Sequence, residues 1–431
     1  MNLAVELWKI IRHFFPELMT LLENREDPRH QSYIEYENKV ILFTRILATV
    51  FRIGSMRQIT EALNHRISIQ NVGTMLELDE ELTELPHWST INDYLEKLPS
   101  TESEAIIPKL VYRITRMRSF ENSRIRGKYW HMVVDGTQLY SFDERHCAHC
   151  LTREFKNEAG EVVRTQYYHA LLEAKLVLNE NMVISLATEF VENETATVEK
   201  QDCELNAFYR LAAKLKKRFP RLPLCLGMDS LYAADPVFSL CREYGWRYII
   251  RFKDGSIPSV AKEFDVLKHL EPTQTWSKTV NDIEETYRYV TDIAYQTHEL
   301  NMVEYTQSDR TYPFVFVTDL PVSKRNCEQL VLAGRRRWKI ENEGFNAQKC
   351  QGLALEHLFS RNYNAMKNHY FLIQIGHMIA QFLEAGLRQL TELSKVSSCS
   401  LFGLLKESLR TVSLTALDYE VVEVRRQYRF R

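Results

Sequence analysis

At 431 residues and 45% hydrophobic content, the chain has enough apolar mass for about two to three domains with a real core, which excludes disorder as its default state. Lysine plus arginine (55) nearly cancels aspartate plus glutamate (57), so bulk charge does not announce a nucleic-acid binder and any basic surface has to be local. Glu6, Lys9, Arg12 and His13 interrupt the apolar pattern of residues 1–15, which is wrong for a signal peptide, and the most apolar run, 370–383, is broken by Gln374, His377 and Gln381. The expectation is a cytoplasmic protein with no membrane span and with its eight cysteines reduced.

Residues 1–115 read as a helical N-terminal domain. Its clearest elements are an apolar helix at 40–51, an amphipathic one at 56–64, and one that starts behind a Ser89 or Thr90 cap. Compact helical modules of this kind bind DNA, dimerise or simply pack; DNA binding is the expectation here, without a helix-turn-helix signature behind it. From about residue 128 the period changes to that of strands. Strands are expected at 129–135, 168–179 and 182–191, the last two joined by a turn at Glu180-Asn181, and together they suggest an antiparallel meander. A helix at 197–219, a strand at 222–228, a helix at 234–244 and a strand at 246–252 follow in the alternation of a parallel βαβ unit. The order β-β-β-α-β-α-β is that of a ribonuclease H-like α/β core, whose first part spans 125–253.

That order places the acids. Asp135 ends a Val-Val run in the first strand, and Asp229 ends the fourth strand, where ligand sites of α/β sheets gather. Either one alone is as often a turn or helix cap. Further on, Arg337, Glu341 and Phe345 fall on one stripe at a helical period with Trp338 beside them, while Glu343 points to the opposite side. Three carboxylates, Asp135, Asp229 and Glu341, then sit on elements that lie side by side in such a core.

Val133-Val134-Asp135-Gly136-Thr137, Gly227-Met228-Asp229-Ser230, Tyr248-Ile249-Ile250-Arg251-Phe252-Lys253 and Arg337-Trp338-Lys339-Ile340-Glu341 together resemble a DDE transposase of the IS4-type insertion-sequence family, over roughly residues 125–380. In that family the third acid lies in a signature of tyrosine, arginine, glutamate and lysine. Here Arg337 and Glu341 keep their mutual spacing, but Gly334 stands where the tyrosine would be and Gln348 where the lysine would be, with Lys349 one place later. The resemblance implies cut-and-paste transposition: metal-dependent cleavage at transposon ends and strand transfer into target DNA, by a homodimer in the synaptic complex. A nucleoid location on DNA follows from the same reading. It implies Mg2+, with Mn2+ as a substitute, held by Asp135, Asp229 and Glu341, Glu343 being the runner-up for the third position. Two such ions would activate the attacking oxygen and stabilise the leaving one. Arg251, Lys253, Arg337 and Lys349 would face phosphates. The competing readings are a nuclease or domesticated relative without strand transfer, and a non-catalytic DNA-binding protein on the same fold.

Between 254 and 313 the pattern is β-rich, a strand-built insertion between the second and third acids, and 314–390 completes the core. Trp276 in the insertion is either core or a platform for a DNA base, the core being the commoner fate of a strand tryptophan. His146-Cys147-Ala148-His149-Cys150 has zinc-ligand residue types at CxxC spacing, but no second pair follows nearby, which argues against structural zinc at Cys147 and Cys150 unless His169 or another chain completes it. His377 reads as a packing residue. The C-terminal segment, 391–431, ends in basic residues interleaved with aromatics, a nucleic-acid contact or an ordinary charged tail.

Overall fold

The strand periods after residue 128 belong to one mixed 11-stranded sheet with helices at both ends of the chain. The computed structural model describes residues 2–270, 274–389 and 393–423, so the basic tail at 424–431 lies outside the described residues. In chain order the strands are β1 (Arg124–Ile125), β2 (Tyr129–Phe142), β3 (Leu151–Lys156), β4 (Val162–Asn179), β5 (Met182–Val191), β6 (Leu224–Met228), β7 (Arg247–Phe252), β8 (Thr275–Val280), β9 (Ile283–Tyr295), β10 (His298–Gln307) and β11 (Phe314–Thr318). The order across the sheet is β3-β4-β2-β6-β7-β11-β10-β9-β8, with β1 beside β2 and β5 beside β4. β2, β6 and β7 run parallel to one another. The pairings of β4 with β2 and β5, and of β11 with β7 and β10, are antiparallel. Every residue of β6 is buried, the pattern of a central strand covered on both faces.

Three local expectations need correction. β4 starts at Val162, well before 168, and its first part pairs with the additional strand β3 to make a polar, mostly exposed ribbon whose mixed composition carries no clean period-two signal. The helix expected from 197 starts at Glu204. The insertion opens with a helix, Pro258–Leu267, begun by a proline in its first turn, before β8, β9 and β10 extend the same sheet.

The N-terminal helices wrap the long helix Tyr363–Leu387. One apolar core runs from Leu3 through the sheet to Val422. The helix Asn38–Val50 is buried on nearly all sides and carries Arg45 with it, 1% exposed. Its guanidinium donates from Nε to His369 Nδ1 at 2.9 Å and lies 4.5 Å from the centre of the Phe359 ring, so the charge is cradled rather than ion-paired. A second cluster, around Tyr287, Tyr305 and Phe316, fills the space between the added strands and the helix Cys327–Arg335. No helix among the described residues is long and apolar enough to cross a membrane.

Candidate active site

β2 and β6 pair in parallel register with Val133 opposite Gly227. Two residues beyond that pair stand Asp135, midway along β2, and Asp229, just past the carboxyl end of β6, so the two carboxylates are level where the parallel pairing stops, the kind of place where α/β sheets collect ligands. The side-chain period of two puts Asp135 on the face of His131 and Val133. A Cβ on Gly227 would lie 2.8 Å from His131 Nε2 and 3.1 Å from Val133 Cγ1, so a glycine is required beneath the acids. His131 is buried, and burial pushes its pKa down to about 3, leaving a neutral ring.

Asp135 accepts from Arg337 at 2.7 Å and from its neighbour Gly136 N–H at 3.1 Å. Burial pushes its pKa up, Arg337 opposes, and the charge of Asp229 adds to the rise. Asp229 caps the turn Ser230–Tyr232, accepting from Leu231 N–H at 2.8 Å, so the capping reading of this residue is also true. A third carboxylate joins them that the sequence did not single out. Glu204 opens the helix Glu204–Arg218, accepts from Tyr232 Oη at 2.7 Å, and has Oε2 2.8 Å from where a Cβ on Gly136 would stand. Its pKa is raised, first by burial and then, against the Tyr232 hydrogen bond, by Asp135 and Asp229. The only sequence signal for Glu204 was an acid in the first turn of a helix, and the helix had been started too early to show it.

The expected α-helical stripe of Arg337, Glu341 and Phe345 is not what forms. The helix Cys327–Arg335 passes into a 3₁₀ turn, Arg336–Trp338, and then a π-helical segment, Ile340–Asn346. A π turn holds more residues than an α turn, so the stripe loses its phase. Arg337 reaches Asp135, Phe345 is buried, and Glu341 is exposed on a segment that packs against β2 and β5. Glu343 pairs with Lys339 at 2.9 Å. Among the described residues, neither Glu341 nor Glu204 forms with Asp135 and Asp229 a group whose ligand atoms all lie within 4.8 Å of one another. The donor set nonetheless suits Mg2+. Asp135 and Asp229 are hard oxygen ligands, Glu204 stands beside them, and burial first and then the neighbouring like charges raise the pKa values of Asp135 and Glu204, a cost that a divalent cation would relieve.

Beside the acids lies a cavity of about 350 Å³ lined by Arg251, Arg310, Phe314, Arg335, Arg337 and Trp338. Arg251 donates to the carbonyls of Val315 (3.2 Å) and Pro313 (2.8 Å), and its guanidinium lies 4.9 Å from the centre of the Phe314 ring. Arg335 and Arg310 approach the same ring at 5.5 and 5.7 Å. None of these three has a carboxylate partner among the described residues, whereas Arg337 has Asp135 and Lys339 has Glu343. The other expected DNA contacts lie apart from this lining. Lys253 is exposed, Lys349 pairs with Glu356 at 2.9 Å, and Trp276 stacks on Tyr287 at 4.5 Å against the second core cluster, as the core reading has it.

The positions of Gly334 and Gln348 each have a local reason for their residue, one steric and one polar. A Cβ on Gly334 would lie 2.5 Å from the Phe316 ring, so β11 supplies the aromatic side chain there and a tyrosine at 334 has no room. Gly334→Ala should destabilise the fold by about 1–3 kcal/mol through overpacking, read as a lower urea midpoint; an unchanged midpoint would show that Phe316 moves freely. Gln348 is fully buried and donates to Gln374 (2.8 Å) and His377 (2.9 Å), which confirms His377 as a packing residue. The cysteine pair also reads differently in three dimensions, because His169 closes on Cys147 and Cys150 to give a group of three ligand atoms.

The chain matches no family model and no curated protein.

Proposed function

We propose that this chain is a metal-dependent DNA transposase built on a ribonuclease H-like core, cutting at transposon ends and joining the freed 3′-hydroxyl to target DNA. The observation that carries the reading is the level pair Asp135 and Asp229 on adjacent parallel strands, with Arg337 and a cationic cavity next to it. The strand order β5-β4-β2-β6-β7, an antiparallel meander followed by two parallel strands, supports the ribonuclease H-like core.

When bound, Mg2+ supplies charge neutralisation at the scissile phosphate and a lowered pKa for the attacking water or hydroxyl. Asp135 and Asp229 would hold it. Arg337, which neutralises Asp135 in its absence, is then free to turn to a phosphate oxygen. Arg251, Arg310 and Arg335 offer guanidinium groups without carboxylate partners among the described residues, suited to bidentate phosphate contact, and Phe314 and Trp338 offer flat apolar surface beside them. Glu204, with Oε1 held by Tyr232 and a raised pKa, is placed to take a proton at Oε2. Either Glu204 or Glu341 completes the carboxylate set. Synapsis of two DNA ends calls for a homodimer on double-stranded DNA, with the helices of 1–115 as a further DNA surface.

Cleavage and strand-transfer assays with Mg2+ or Mn2+, on DNA carrying the inverted repeats that flank the reading frame, test this directly. Cut and joined products are expected. Cutting without joining would favour a nuclease, and binding without cutting a DNA-binding protein on the same fold. Of Glu204→Gln and Glu341→Gln, the one that removes cleavage while DNA binding persists identifies the third carboxylate. If both cut normally, a three-carboxylate site is wrong.

A further inference from the structure

Outside the acidic site, one cluster of metal-ligating side chains stands out. Cys147 Sγ and Cys150 Sγ are 3.7 Å apart, and each is 3.5 Å from His169 Nε2. Tetrahedral zinc, with Zn–S near 2.3 Å and Zn–N near 2.0–2.1 Å, requires edges of about 3.8 Å between two sulfurs and about 3.5 Å between sulfur and nitrogen. The three atoms therefore already lie at three corners of a zinc tetrahedron. A disulfide would bring the sulfurs to about 2.05 Å, and both cysteines are free. Hydrogen bonding alone explains the triangle poorly, since one imidazole nitrogen facing two thiols satisfies at most one of them along its lone pair or N–H.

We infer that Cys147, Cys150 and His169 bind a zinc ion, with water at the fourth corner. His169 Nε2 is the ligand nitrogen, and Cys150 and His169 are 0% and 1% exposed. The backbone N–H of Cys147 donates to Cys150 Sγ at 3.4 Å, a hydrogen bond that steadies a thiolate ligand. The two neighbouring histidines are otherwise engaged. His146 Nε2 contacts the Arg361 carbonyl at 2.8 Å, and His149 Nδ1 contacts that of Asn193 at 2.9 Å while its ring stacks on Tyr363.

The position tells what the ion would do. Cys147 and Cys150 lie in the loop that leaves β2, and His169 lies on β4 opposite Tyr140 of β2. The Tyr363 ring, at the start of the helix Tyr363–Leu387, sits 5.0 Å from that of His169. A bound ion would clamp the loop to the strand that pairs with the one carrying Asp135, and would fix the base of the β3–β4 ribbon. Its role is structural and independent of the proposed phosphoryl chemistry.

The test is metal analysis of the untagged full-length protein. About one zinc per chain is expected in the wild type and in Cys203→Ser and His146→Ala, with at least about a tenfold loss in Cys147→Ser, Cys150→Ser and His169→Ala. Should those variants fail to fold, the wild type still decides. Its zinc should be released by a thiol-modifying reagent, and the chelator-stripped protein should show a thiolate-to-metal charge-transfer band on adding Co2+. A wild type without zinc and without that band overturns the site, as does zinc that survives both Cys147→Ser and His169→Ala. Zinc lost in His146→Ala overturns the assignment of water to the fourth corner.

Discussion

Asp135→Asn should reduce DNA cleavage by about 10³-fold, the scale of removing one group that stabilises developing charge in a transition state. The same substitution should leave the protein at least as stable near neutral pH. The folded pKa of Asp135 is raised above its ordinary value of 3.8 by burial and by Asp229, so between 3.8 and the folded value the native state holds more proton than the unfolded chain. Its contribution to stability is therefore fully present below 3.8 and is lost as pH rises through the folded pKa. A neutral amide of the same shape removes that loss. Thermal melts as a function of pH check the sign: the asparagine variant should show a smaller decline across that window than the wild type. Added Mg2+ supplies the second arm. It should stabilise the wild type by RT ln(1 + [Mg2+]/Kd), about 2.7 kcal/mol at a hundred times Kd, and the variant by much less. A variant that cuts DNA normally, or that gains the same stabilisation from Mg2+, would remove Asp135 from the site.

Lys175→Met should cost about 3–5 kcal/mol of folding stability, although the residue is remote from solvent and makes no contact proposed for DNA. Glu173, opposite Asp135 on β4, and Lys175, on the same face, are both fully buried, with Nζ 3.7 Å from Oε1. Hydroxyls satisfy the carboxylate further: Ser185, Thr188 at 2.6 Å and Tyr370 at 2.7 Å all donate to it. Lys175 in turn donates to Gln374 at 2.7 Å, which accepts from Gln348. Removing the cation leaves a buried anion with its partial neutralisation gone, whereas Lys175→Met combined with Glu173→Gln removes both charges and should regain most of the loss. Urea unfolding of the two single variants and the double variant measures the coupling. If Lys175→Met unfolds at the wild-type midpoint, the pair does not matter to folding.

Much of the sheet was legible because its central strands are short apolar runs bounded by polar turns. Val133-Val134-Asp135 and Leu226-Gly227-Met228-Asp229 announce both the strands and the acids that close their apolar runs. The ribbon of β3 and early β4 was illegible for the opposite reason: Thr152-Arg153-Glu154 and Arg164-Thr165-Gln166 face solvent on both sides, and no burial imprints a period. The segment after Gly334 misled in another way. Its residues fit an α-helical stripe, but the crossing over Phe316 and the packing of Gly344 against Lys175, 3.2 Å from a built Cβ, accompany a tightened turn and then a widened one. Local spacing cannot reveal that, because the causes lie on β11 and β4. Glu204 was missed for a similar reason, since its place near Asp135 depends on where a helix begins in space. The group of Cys147, Cys150 and His169 was half visible, with CxxC readable in one loop and His169 only one of the ways to complete it, because its closeness depends on the pairing of β4 with β2.

Segments far apart in the chain are held together both directly and through the long helix. Asn2 caps the first helix and accepts from Ser408 at 3.1 Å, Asn71 donates to the carbonyls of Leu409 and Val412, and Ser103 donates to Asn368. During synthesis, the apolar faces of the first hundred residues therefore wait for partners far later in the sequence. Closure across so long a separation is slow, and the nascent N-terminal helices are exposed to aggregation until those segments have emerged. Chains that stop before the helix Tyr363–Leu387 should be substrates for chaperones and proteases rather than free DNA-binding fragments.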